Sequence, residues 1–145
     1  MVHRRPLGNG RRLAIVGSIL VMIGCVLPWY VLGGDGGLPE QVYRAFDGPA
    51  GFGTGIISLL AALATLALVV LPYAAGPRPV AVDRGLAYGL LAIAALAGVA
   101  LWLPNVLDAP EGLLPDRAYG WWIAAAGAIV MARGAFEVSQ EPPRR

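Results

Sequence analysis

Within the long apolar stretches of this 145-residue chain, the polar side chains that could do chemistry are few: Ser18, Thr54, Ser58, Thr65 and the thiol of Cys25. Thr54 and Ser58 stand one helical turn apart, and with Thr65 they could line a narrow polar seam between helices. Such a seam would suit a lipid, a quinone or a small solute. A hydroxyl on an apolar helix more often bonds the carbonyl four residues back, which commits it to structure. A single cysteine allows no intrachain disulfide and no cysteine-based zinc site. The one histidine, His3, lies in an arginine-rich N-terminus, so no Ser/His/Asp or Cys/His constellation can form within the apolar segments. There is no Walker loop, metalloprotease pair or dinucleotide glycine pattern, and the run Gly33–Gly34–Asp35–Gly36–Gly37 precedes no phosphate-binding helix. The loop acids Asp35, Glu40, Asp47, Asp108, Glu111 and Asp116 read as solvated charges rather than a divalent-cation site. The expectation is a protein that is not an enzyme and holds no cofactor or metal.

The elements that must carry these residues follow from composition. Hydrophobic residues make up 57% of the chain and charged residues 14%, against about 25% charged in a soluble domain. The charges sit between uncharged stretches at Leu13–Gly34, Gly48–Pro77, Gly85–Leu107 and Ala118–Ala132. A membrane-crossing helix needs roughly 20 apolar residues. Three stretches meet that length outright. In the fourth, Arg133 can snorkel while Gly134, Ala135 and Phe136 extend the helix. The reading is four transmembrane helices, near 12–32, 52–74, 85–104 and 118–136, forming a single membrane domain.

The arginines orient it. The N-terminal tail (Arg4, Arg5, Arg11, Arg12), the second connection (Arg78, Arg84) and the C-terminal end (Arg133, Arg144, Arg145) hold nine of the eleven. Arg44 and Arg117 alone fall on the other side. The positive-inside rule then puts both termini in the cytoplasm. Counting acids as well, the inner side carries +6 and the outer −4, consistent with the +2 of the chain. Trp29, Trp102, Trp121 and Trp122 all fall at outer ends and are expected to anchor at the lipid–water interface. Arg4, Arg5, Arg11 and Arg12 are expected to meet anionic lipid headgroups. Nucleic acid is not an expected partner, because these arginines set topology.

The N-terminal segment is too long for a typical signal h-region. Met22–Ile23–Gly24–Cys25 resembles a lipobox, but Val26–Leu27–Pro28–Trp29 is apolar where a lipoprotein tether is polar. In the first outer loop Leu38, Val42 and Phe46 recur every fourth residue, and Glu40 and Arg44 could pair across one turn. With Pro39 suited to a first helical position and Gly48 to a cap, a short amphipathic interfacial helix is expected there.

Small residues mark helix contacts in lipid. Span 2 carries Gly51, Gly55, Ser58, Ala62 and Thr65, and span 4 carries Gly120, Ala124, Gly127, Met131 and Gly134, both spaced four, three, four, three. Span 1 offers Gly17 and Gly24. Short connections and this spacing predict an all-α, antiparallel up-down-up-down four-helix bundle. Pro28, Pro72 and Pro104 lie near helix ends, which argues against the broken helices of transporters.

Leu27–Pro28–Trp29 closing span 1 and Gly120–Trp121–Trp122 opening span 4 resemble the largely uncharacterised small four-span inner-membrane proteins of high-GC bacteria. The resemblance covers most of the chain and implies a bacterial inner-membrane location without implying an activity. Small multidrug transporters share the size and span count, but they rely on an embedded glutamate that is missing between Leu13 and Gly34. Claudin-like proteins carry paired cysteines in the first outer loop, which are also missing. The expected function is that of a non-enzymatic integral membrane protein. It would be a structural or accessory subunit that contacts membrane lipids and other subunits or itself. The alternative is a lipid, quinone or small-solute carrier using the hydroxyl seam.

Overall fold

The computed structural model describes residues 8–34, 36–37, 39–48, 53–74, 84–107 and 114–141. Most lie in four helices: α1 (Asn9–Val26), α2 (Gly55–Ala74), α3 (Arg84–Leu107) and α4 (Tyr119–Ser139). Between α1 and α2 two short strands, β1 (Pro28–Leu32) and β2 (Gln41–Arg44), form an antiparallel hairpin. Helix α1 stops where Pro28 forbids the helical conformation at the preceding residue: Leu27 is extended at φ −78°, ψ 160°, while its amide closes the last turn on the Ile23 carbonyl. Pro104 falls in the last turn of α3, where its missing amide leaves the Ala100 carbonyl without its helical partner. Three helical segments, Asn9–Val26, Gly85–Asn105 and Tyr119–Ser139, are long and apolar enough to cross a membrane, and the shorter apolar part of α2 is Gly55–Leu71.

The helices form a closed ring in which α1 packs on α2, α2 on α3, α3 on α4 and α4 back on α1. Buried side chains sort into two clusters. One joins the start of α1 (Ala14), the end of α2 (Val69), the start of α3 (Tyr88, Ala92) and the end of α4 (Ala135, Val138). The other joins the opposite ends through Cys25, Ala61, Ala62, Val99, Trp102, Trp121 and Ala124, together with the hairpin residues Trp29 and Tyr30. Consecutive helices therefore alternate in direction.

Two expectations are corrected. The first apolar segment, 12–32, is not one helix: it divides at Leu27, and its last five residues are β1. The first loop holds no interfacial helix over its described residues; it is not all-α but carries β2 and a turn. The physical reason is backbone satisfaction. Once Pro28 ends the helix, the amides and carbonyls of Pro28–Leu32 must find partners, and Gln41–Arg44 supplies them in the register Tyr30↔Tyr43, Val31↔Val42, Leu32↔Gln41. The register shifts between Pro28 and Tyr30. That irregularity lets the adjacent Trp29 and Tyr30 both be buried rather than alternate. Glu40 does not pair with Arg44 in a helical turn. The Arg44 amide instead donates to Asp47 Oδ2 at 2.7 Å, closing the turn that follows β2.

The loop joining the strands leaves β1 through Gly33 at φ +80°, where a Cβ would also lie 2.6 Å from the Pro39 carbonyl oxygen. Gly34 shares the left-handed backbone, at φ +86°, but faces open space. Gly34→Ala should therefore cost about 1 kcal/mol of strain, and Gly33→Ala distinctly more. Thermal denaturation of the two variants in mild detergent checks the order; equal losses would contradict the close approach at Gly33.

Candidate functional site

The most extensive helix contact in the fold lies between α1 and α4. Gly10, Gly17 and Gly24 are seven residues apart on α1, as are Gly120, Gly127 and Gly134 on α4, and all are buried. A seven-residue repeat returns each glycine to the same helix face. At the centre, a Cβ on Gly17 would lie 2.5 Å from the Met131 amide nitrogen and 2.7 Å from the Gly127 carbonyl oxygen; one on Gly127 would lie 2.7 Å from the Val21 amide nitrogen. Backbone touches backbone. Ala124, fully buried, sits against Gly24. Helix α2 uses its small residues differently. Gly55 packs against Ala45 in the turn after β2 rather than on another helix, and its carbonyl accepts the Cys25 thiol at 3.7 Å. Ala62 lies in the core, and Gly51 falls outside the described residues.

The hydroxyls of the expected seam are largely engaged. Ser58 Oγ donates to the Ala95 carbonyl at 2.7 Å, tying α2 to α3 where Gly98 gives it room. Thr65 Oγ1 donates to Ala61 within its own helix, as Ser18 does to Ala14. Thr54 Oγ1 is buried and, among the described residues, the one side-chain oxygen or nitrogen of this kind without a partner.

Three of the four tryptophans are buried within the protein. Trp29 is fully buried and donates from Nε1 to the Gly24 carbonyl at 2.9 Å. Trp102 is buried edge-to-face against it at 5.5 Å. Trp121 donates from Nε1 to the Val99 carbonyl at 3.1 Å, joining α4 to α3. Trp122 alone of the four is open to the surroundings, 44% exposed and stacked edge-to-face on Trp121. The reason is geometric: Trp29 is turned inward by the strand irregularity, and Trp102 and Trp121 lie on the α3 and α4 faces toward the ring. Arg11 is largely withdrawn from the surface. It is only 9% exposed and pairs with Glu141 at 3.4 Å, linking the start of α1 to the end of α4. Arg12 is exposed, and Arg4 and Arg5 lie outside the described residues.

Two concavities are lined by described residues. A cleft of about 350 Å³ at the hairpin end is lined by Tyr30, Leu32, Tyr43, Asp47, Gly48, Trp102 and Asn105. A groove of about 290 Å³ at the other end runs between α3 and α4, past Gly85, Gly89, Ala92, Ile93, Ala135 and Phe136. The cleft's aromatic and acidic lining was not singled out by helical periodicity. Its signal is Trp29–Tyr30–Val31, a β-prone run directly after a proline. Gly10 was likewise hidden, because it precedes the apolar stretch to which its heptad belongs. The chain matches no protein-family model and no curated protein.

If backbone contact between α1 and α4 holds the ring, Gly127→Leu should destabilise it by more than about 2 kcal/mol through overpacking. Gly89→Ala, where a Cβ meets open space, should change stability by no more than about 0.5 kcal/mol, or raise it through helix propensity. Thermal unfolding of both variants in one detergent decides; equal effects would show that the interface is not limited by volume.

Proposed function

We propose that this chain is a four-span integral membrane protein, non-enzymatic, acting as a structural or accessory subunit of a membrane assembly. The observation that carries the reading is the inverted placement of side chains. The interior of the ring includes Gly17, Ser18, Ala62, Thr65, Ala95, Ala124 and Gly127 beside the larger Val21, Val99 and Met131, while Ile19, Leu60, Ile93 and Ile129 at mid-helix are exposed, the last two above 60%. A bundle folding in water does the opposite, because apolar area left in water costs about 25 cal/mol per Å². In a bilayer that cost disappears, and close packing of small residues is what holds helices together. The arginine distribution supports cytoplasmic termini. The likeness to small four-span proteins of high-GC bacteria supports an inner membrane. The engagement of Ser58 and Thr65 with backbone carbonyls favours a packed bundle over a carrier with a hydroxyl-lined path.

Two measurements test this. In a Cys25→Ala background, a cysteine at Gly36 should react with an impermeant maleimide on intact cells. One at Gln140 should react only after permeabilisation. Native mass spectrometry from mild detergent should find the 15.1 kDa chain in a stoichiometric protein assembly. A lone chain that drives solute flux in proteoliposomes would replace the accessory-subunit reading with the carrier.

A further inference from the structure

We propose that the groove between α3 and α4 is a lipid site, which takes one acyl chain of an anionic phospholipid from the inner leaflet. The proposal rests on the membrane reading above. Along α3 the groove runs from Gly85 past Gly89 to Leu96, and along α4 it runs from Ala132 past Phe136 to Ser139. From Gly85 to Leu96 the helix rises about 16 Å, and half of a hydrocarbon core is about 15 Å thick. The groove therefore opens where α3 enters the bilayer and stops near the midplane, which is the reach of one chain from one leaflet.

The same geometry disfavours a second helix as occupant. In the other half of their length α3 and α4 are joined, where Trp121 Nε1 donates to the Val99 carbonyl at 3.1 Å. A partner's transmembrane helix would lie along both halves, whereas an acyl chain needs only the half in which the two helices part. The walls also offer a helix little to bond. Among the described lining residues Ser139 alone has a polar side chain, and its hydroxyl donates to the Phe136 carbonyl at 2.7 Å. At Gly89 a Cβ would meet nothing within 4 Å. Empty space beside that backbone forfeits dispersion contact, and a flexible hydrocarbon chain restores it.

A separate observation sets the headgroup. Arg133 follows Ala132 on α4, and its guanidinium stands 5.9 Å from the centroid of the Phe136 ring on the groove wall. Both of its contacts, Phe136 and Glu137, lie one turn nearer the end of α4, so the side chain leans toward the inner surface. Glu137 Oε1 accepts from Nε at 3.2 Å, and the Arg133 side chain is 64% exposed. Its terminal nitrogens remain as donors for a phosphate, which the guanidinium fork suits. Helix α3 itself opens with Arg84. A zwitterionic headgroup would bring its own cation to this rim; an anionic one does not.

The chain is purified in mild detergent and titrated, under native mass spectrometry, with phosphatidylglycerol and phosphatidylcholine of identical acyl chains. Phosphatidylglycerol should be retained about fivefold better, the effect of one arginine at a lipid surface. Arg133→Gln should abolish that preference. Glu137→Gln removes the competing carboxylate and should raise it, a gain that misfolding cannot imitate. Gly89→Leu fills the groove from a position with room for a side chain, and the retained lipid should be lost; Leu60→Ala, on the exposed face of α2, should leave it unchanged. A phosphatidylglycerol with a diazirine in its acyl tail should crosslink to Gly85–Leu96 and Ala132–Ser139. Crosslinks spread evenly over all four helices, equal retention of the two lipids, or retention insensitive to Gly89→Leu would overturn the site. A dimer that Gly89→Leu dissociates, with lipid retention unaltered, would overturn it in favour of a second copy. Failure of the maleimide pattern at Gly36 and Gln140 would instead overturn the membrane reading beneath it.

Discussion

The contact between α1 and α4 is the constraint on which the remaining geometry depends. It joins the first and last helices, and it is made by backbone on backbone through glycines repeating every seven residues. Dispersion falls off steeply with separation, so helices that bring main chains together gain many contacts from few side-chain atoms. Where main chain meets main chain, the volume of a side chain at the interface matters more than its hydrophobicity. With α1 and α4 fixed antiparallel, α2 and α3 are held as the other half of the ring, and their mutual register is set by the Ser58–Ala95 bond and the room left at Gly98. The Arg11–Glu141 pair sits at one end of the same seam. At the other end Gly120 lies against the carbonyls of Leu27 and Pro28, where the helix gives way to the hairpin.

That transition explains why one end of the molecule is built differently from the other. Pro28 stops α1 before the apolar run is exhausted, so the chain carries Trp29 and Tyr30 into the ring in an extended conformation. Extended backbone in an apolar setting demands a partner strand, and β2 provides it. The hairpin then folds over the ends of α3 and α4. Its loop is fastened by Arg117, which donates to the Gly33 carbonyl at 3.2 Å, and the turn after β2 is fastened by the Gly53 amide, which donates to the Phe46 carbonyl at 2.7 Å. The cleft is what remains between this cover and Trp102. A proline and a strand irregularity thus make Trp29 a packing group and leave Trp102 lining the cleft.

How much of this the sequence disclosed depends on the range of the interaction. The helices were legible because each is a local run of apolar residues bounded by charge, Pro28 or Pro104, and helical structure follows from neighbours in sequence. The small-residue stripe on α4 was legible for the same reason. The hairpin was not. Leu38, Val42 and Phe46 satisfy a helical period, yet Gln41–Arg44 pairs with β1, and strand pairing is decided by a partner that periodicity within one segment does not reveal. Tryptophan at a helix end has the same ambiguity. Trp29, Trp102 and Trp122 occupy similar sequence contexts, but only the packing of the ring decides which indole faces inward. The hydroxyls show a further limit: Thr65 bonds within its own helix while Ser58 crosses to α3, and spacing along α2 cannot separate the two.

The two ends of the ring consequently suit different tasks. At the end with α1's start and α4's finish, the groove between α3 and α4 is lined almost wholly by small and apolar groups, including Gly89 with open space before it. Such a surface discriminates by shape alone, since it offers few polar groups to orient a ligand. At the hairpin end, Tyr30, Tyr43 and Trp102 line a cleft together with Asp47 and Asn105. A bundle whose middle is filled by glycine backbone contacts has little interior volume for a site, so binding chemistry is displaced to wherever the helical packing is interrupted. In this chain such interruptions lie at Pro28 and where α3 and α4 part.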